Sequence, residues 1–193
     1  MRRLMVSEFI TLDGVVEAPG GEPGHPHTGW VFEYHGPELE RYKAQELRQA
    51  ESMLLGRVTY EGFAEAWPPR SGEIADRLNT MPKHVVSSTL TTPLSWSNST
   101  VLAGDLATVI TDLKRGDGGP ILVHGSATLA RGLLEADLVD DLRLMVFPVL
   151  VGGGQGIFPG SFRKSTFTLV EAETVLPNVT ALTYARAGDD LTA

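Results

Sequence analysis

Short apolar blocks alternate along this chain with stretches in which apolar residues return at helical spacing. Leu4–Ile10, Ser52–Gly56, Lys83–Ser88, Thr100–Leu102, Pro120–Gly125 and Leu142–Val151 are brief apolar runs next to turn-forming residues, and they predict strands. The runs "TFTLVEAETV" and "VTALTYARA", joined by Leu176–Asn178, predict a terminal hairpin. Between these lie helical patterns. Over Pro37–Glu51, Leu39, Tyr42, Leu47 and Ala50 mark one face, and Pro37 suits a helix start. Asp105 is placed to cap Leu106–Arg115, with Gly116 as its stop, and Ser126 to cap Ala127–Ala136. Thr59–Ala66 and Ser71–Leu78 predict shorter helices.

Strands alternating with helices predict an α/β fold with a mainly parallel sheet covered on both faces, a three-layer α/β/α arrangement edged by the antiparallel hairpin. The 193 residues fit one domain. Glu17–Gly29, "EAPGGEPGHPHTG", has no periodicity and predicts a long loop of the kind that serves as a lid.

Composition narrows the function. The formal net charge is −8 and no basic cluster offsets it, which disfavours nucleic-acid binding and docking on an anionic membrane. There is no cysteine, so thiolate nucleophiles, disulfides and Cys-based metal sites are excluded. No apolar run is long enough to span a bilayer, and Ser7 and Glu8 interrupt the pattern a signal peptide would need. The expected location is the cytoplasm. The pair His25 and His27 lacks an evident third metal ligand, so an exposed loop is the plain reading and no metal site is assigned.

In an open α/β sheet ligands bind beyond the carboxyl ends of the strands. The residues there are Asp13-Gly14, Gly56-Arg57-Val58-Thr59, Ser87-Ser88, Gly125-Ser126-Ala127 and Gly152-Gly153-Gly154. Glycines admit close backbone approach, and helix starts offer unpaired N–H groups and a positive dipole end, so two such starts can hold a pyrophosphate. Each stretch alone reads as an ordinary turn before it reads as a ligand contact. Neither GxxxxGK[ST] nor GxGxxG is present.

"MLLGRVTYEGF" followed by "MPKHVVSSTL" resembles the dihydrofolate reductase superfamily. "ILVHGSATLARGLLEADLVDDLRLMVFPVLVGGGQGIF" and the opening "SEFITLDGVV" are similar to the reductase domain of bifunctional riboflavin biosynthesis proteins. The resemblance runs from about Val6 to Tyr184. It implies a dihydrofolate reductase-like mixed sheet of eight strands, NADPH as cofactor, a small-molecule substrate and a homodimer. It places Gly56, Arg57 and Thr59 on the cofactor's phosphates, Ser87 and Ser88 by the 2′-phosphate, and Gly125, Ser126 and Ala127 on the pyrophosphate. Leu12, Asp13 and Gly14 lie by the nicotinamide, and Gly152 and Gly153 close the site. His124 stands where the aminouracil reductases carry Glu, which puts that substrate in question.

A nicotinamide reductase needs orientation and a proton donor from the protein. Asp13 is a candidate catalytic acid and, equally, a turn-former before Gly14. Glu33 is a second acid, with a solvated surface acid as its ordinary role. Trp30 and Phe147 are candidates to stack on a planar substrate, against roles as lid anchor and core. His124 is either a substrate contact or a hydrogen-bonded core histidine. The expected activity is NADPH-dependent reduction of a pyrimidine- or pteridine-like heterocycle. The alternative is a non-catalytic NADPH-binding sensor.

Overall fold

The computed structural model describes residues 1–158 and 164–187. Eight strands, β1 (Leu4–Thr11), β2 (Ser52–Gly56), β3 (Lys83–Val86), β4 (Ser99–Leu102), β5 (Ile121–His124), β6 (Asp141–Phe147), β7 (Phe167–Leu176) and β8 (Val179–Arg186), form one sheet. Its order is β4-β3-β2-β5-β1-β6-β8-β7. The first six strands in that order run parallel, while β6, β8 and β7 pair antiparallel. The mostly parallel sheet with its terminal hairpin is therefore as the sequence predicts.

β6 stops at Phe147, short of the expected Val151, because Pro148 follows and has no N–H to donate. β3 likewise ends at Val86, leaving Ser87 and Ser88 beyond it.

Among the described residues five α-helices flank the sheet: α1 (Pro37–Gln49), α2 (Arg57–Ala66), α3 (Glu73–Thr80), α4 (Leu106–Arg115) and α5 (Ala127–Glu135). Strand side chains alternate between the two faces, and the core divides accordingly. On one face α1, α2 and α3 cover Met5, Met53, Leu55, Val85 and Leu122 with Leu47, Tyr60 and Leu78. On the other, α4 and α5 cover Leu4, Val6, Leu54, Ile121 and Val123 with Ile110, Ala130 and Leu133. A third cluster closes the first face toward the strand ends, around Phe147, Trp30, Val31 and Met145. Asp105 caps α4 as expected, its carboxylate accepting from Thr108 N at 3.0 Å.

This division locates a crevice. The strands β2, β5 and β1 are neighbours, yet the chain leaves β2 and β1 toward α2 and α1 on one face and leaves β5 toward α5 on the other. The three exits diverge, and an open sheet binds its ligands at such a switch.

Candidate active site

The β2 and β5 exits are tied together by Ser126. Its hydroxyl accepts from Gly56 N at 2.9 Å and donates to Thr59 Oγ1 at 2.7 Å. The expected role of Ser126 as a side-chain cap of α5 is thus corrected. Ser126 sits in the left-handed region at φ 64, and its hydroxyl faces the neighbouring turn instead of its own helix. The packing is close. A Cβ on Gly56 would lie 3.1 Å from Ser126 Oγ, and one on Gly125, at φ 62, would lie 3.3 Å from Thr59 Cγ2. The first turns of α2 and α5 therefore open side by side with no side-chain cap on either, leaving N–H groups and two positive dipole ends for an anion.

The charged and hydroxyl residues expected here stand around this pair. Arg57 opens α2, half-exposed and ion-paired with Glu61 at 2.7 Å. Ser88 is exposed, whereas Ser87 is buried and its hydroxyl accepts from Thr89 N and Leu90 N. Ser87 thus braces the turn after β3, and Ser88 is the one facing solvent. Ala127 is the first residue of α5.

Across the crevice, the end of β1 is joined to the loop after β6. Leu12 N donates to Val149 O, and Leu12 is itself largely exposed. The Asp13 carboxylate accepts from Thr11 Oγ1 at 2.5 Å, Gly152 N at 2.8 Å and Val151 N at 3.2 Å. The Thr11 hydrogen bond, then that from Gly152, holds its pKa below the ordinary aspartate value. These three hydrogen bonds fit the turn-forming role of Asp13 before Gly14. The carboxylate latches two loops together. Gly14 (φ 81) and Gly152 (φ 76) take the left-handed backbone these turns need, and Gly152 and Gly153 face open space.

The aromatic candidates are core. Phe147 is fully buried, with its ring edge-on to Phe9, Trp30 and Tyr34 at 5.2, 5.4 and 5.6 Å. It has no face left for a substrate, and its expected stacking role is corrected. Trp30, also buried, donates from Nε1 to Glu17 O at 2.9 Å and so pins the long loop. Glu33 is exposed at the end of a 3₁₀ turn, Trp30–Glu33, which the sequence patterns do not reveal. His25 is spent within the loops, bonding Gly153 O at 2.8 Å through Nε2 and accepting from His27 N through Nδ1.

The structure also assembles a charged cluster that the sequence reading missed. Ser7, His124 and Arg143 share one register row on β1, β5 and β6, beneath α1. From α1, Glu46 reaches down to His124 Nε2 at 2.8 Å and forms an ion pair with Lys43, and its Oε1 lies 3.7 Å from Arg143 Nη1. Lys43 Nζ also meets His124 Nε2 at 3.0 Å and Ser7 Oγ at 3.2 Å, above the Phe9 ring. Glu46 is almost fully buried, while about 15% of the Lys43 side chain remains exposed. Burial alone would raise the pKa of Glu46, but Lys43 and the His124 hydrogen bond outweigh it and hold the carboxyl far below its usual range. Burial, reinforced by Lys43, lowers that of His124, which stays neutral. On the opposite face of the sheet, buried Glu8 is pushed up to about 8 by desolvation. A signal for the cluster was present. Residues 39, 42, 43, 46, 47 and 50 form one helical stripe, and the two charges within it have to be buried with partners.

The chain is similar to known proteins in sequence and in fold. "Uncharacterized protein YyaP" of Bacillus subtilis is 24% identical over 189 residues, 95% of this chain and 94% of that protein. The crystal structure of a putative riboflavin biosynthesis protein from Shewanella sp. PV-4 superposes with a TM-score of 0.74 at 22% identity, covering 96% of this chain and 99% of that one. Dihydrofolate reductase from Enterococcus faecalis, solved with NADP(H) and RAB-propyl, superposes with a TM-score of 0.62 at 16% identity, covering 96% and 97%. Residues 2–181 match the model of the RibD C-terminal domain, and this chain belongs to that family.

Proposed function

We propose that the protein is an NADPH-dependent reductase of a small planar heterocycle, pyrimidine- or pteridine-like. The observation that carries this is the double helix start, Gly56-Arg57 against Gly125-Ser126-Ala127, bound through the Ser126 hydroxyl. The two glycines let the turns pack this closely, and both helix ends are uncapped, which suits a pyrophosphate.

In this reading Gly56, Thr59, Gly125, Ser126 and Ala127 hold the phosphates. Arg57 exchanges Glu61 for the 2′-phosphate, with Ser88 beside it and Ser87 setting the turn. Leu12 and Gly14 border the nicotinamide, and Gly152 and Gly153, latched by Asp13, close over it. When bound, the cofactor supplies a hydride. The chain orients the two reactants, and the loop over Gly154 and Glu17 screens them from water. Family membership and the fold shared with an NADP(H)-bound reductase support the same reading.

A homodimer belongs to the proposal. β7 is an edge strand with Leu169 and Val170 exposed, an open partner for a second sheet.

The test is spectrophotometric. NADPH is mixed with the protein and with 7,8-dihydropterins, ribosylaminouracils and quinonoid compounds in turn. The absorbance of the reduced nicotinamide is expected to fall with at least one of them. Saturable binding of NADPH without consumption by any would instead establish a non-catalytic binding protein.

A further inference from the structure

With the Asp13 carboxylate engaged by Thr11, Val151 and Gly152 and Glu33 on the surface, a proton donor for the reductase reading has to be sought elsewhere. The cluster under α1 places an ammonium group, that of Lys43, next to the cradle strand. His124 is the last residue of β5, directly before Gly125 of the cradle, while β1 continues for four residues past the level of Ser7 and His124. The cluster thus lies at the strand level just below the cradle, where Lys43 and Arg143 are both partly exposed and Lys43 lies over the Phe9 ring.

Its charges are unequal. Two cations, Lys43 and Arg143, face one carboxylate, Glu46, and His124 is neutral. If Lys43 becomes neutral, Glu46 keeps Arg143 as counter-charge, and no buried ion is left alone. Nor does the other face of the sheet add a second carboxylate at neutral pH, since Glu8 there retains its proton. The hydrogen bonds favour the same direction. With His124 Nε2–H donated to Glu46, the Lys43 ammonium 3.0 Å away faces an N–H, not an acceptor. Loss of one proton turns that contact into an amine lone pair facing a donor.

Building on the reductase reading, we propose that Lys43 is its catalytic acid, with Glu46, His124 and Arg143 as positioning residues. The substrate is then one with a C=N bond. Hydride adds to the carbon, the π pair moves to the nitrogen, and that nitrogen takes a proton from Lys43 Nζ. The product is an amine, and the Lys43 amine regains its proton from solvent.

Single-turnover NADPH consumption tests this, using the substrate of the panel above that the wild type reduces fastest, together with NADPH titration by fluorescence. The variants are Lys43→Met, Lys43→Arg and the double variant Lys43→Met with Glu46→Gln, which removes both charges and protects the fold. All three are expected to be slower by about a hundredfold or more, with the dissociation constant of NADPH within about twofold of wild type and without the slowing in D₂O that wild type shows. Lys43→Arg is decisive, since arginine restores charge but gives up no proton. Wild-type rates in that variant, or in the double variant, overturn the proposal and leave the reductase intact. If the wild type consumes no NADPH with any substrate, the reductase reading itself falls, and Lys43 as acid falls with it.

Discussion

The phosphate cradle and the charged cluster lie a residue apart at Gly125 and His124, yet they are built in opposite ways. The cradle comes from two strand–turn–helix segments, each local in sequence and each open to solvent. What it offers an anion is backbone N–H groups, and its side chains mainly shape the turns. The cluster comes from four elements brought together only by folding, α1, β1, β5 and β6, and what it offers is buried side chains. A backbone site tolerates change except where a Cβ intrudes. A buried ionic site depends on every member, because each removed partner strands a charge.

The largest expected effect breaks the cluster and spares the cradle. Glu46→Ala leaves Lys43 and Arg143 facing each other without a counter-charge. Urea denaturation is expected to show a loss on the order of 3 kcal/mol, while NADPH binding by the folded protein stays near wild type. A loss of cofactor affinity as large as the loss of stability would show that the two regions are one site.

A smaller effect concerns Glu8. Its folded pKa, about 8, lies above the ordinary value of 4.5, so the folded state binds the extra proton between those values. The stabilisation is complete below about pH 4.5 and is lost as pH rises toward 8. Glu8→Gln keeps the neutral shape and removes this slope, so the variant is expected to exceed wild type in stability at pH 8. Equal pH dependence of the two proteins in denaturant titrations would place the titration elsewhere.

The same contrast explains what could be read in the sequence. The cradle was legible because a strand, a glycine turn and a helix follow one another within a few residues, as at Leu54–Thr59 and Val123–Thr128. The sheet was legible for the same reason, since apolar runs report burial directly. Ser126 was misjudged because a serine before a helix ordinarily caps it, and only the approach of Gly56 from another strand turns the hydroxyl away. Phe147 was open to two readings until Phe9, Trp30 and Tyr34 surrounded it. Lys43 and Glu46 looked like ordinary helix charges, because their partners His124 and Arg143 are about eighty and a hundred residues away.

In the proposed function the β2 and β5 exits hold NADPH. Fluorescence titration of NADPH and NADH into the wild type and into Arg57→Ala tests it most directly. The wild type is expected to bind NADPH saturably and more tightly than NADH. Arg57→Ala is expected to weaken NADPH by about tenfold or more, as for a lost charge-assisted pair, and to leave NADH nearly unchanged. Equal weakening of both would remove Arg57 from the 2′-phosphate, and no saturable binding of NADPH to the wild type would contradict the account at its root.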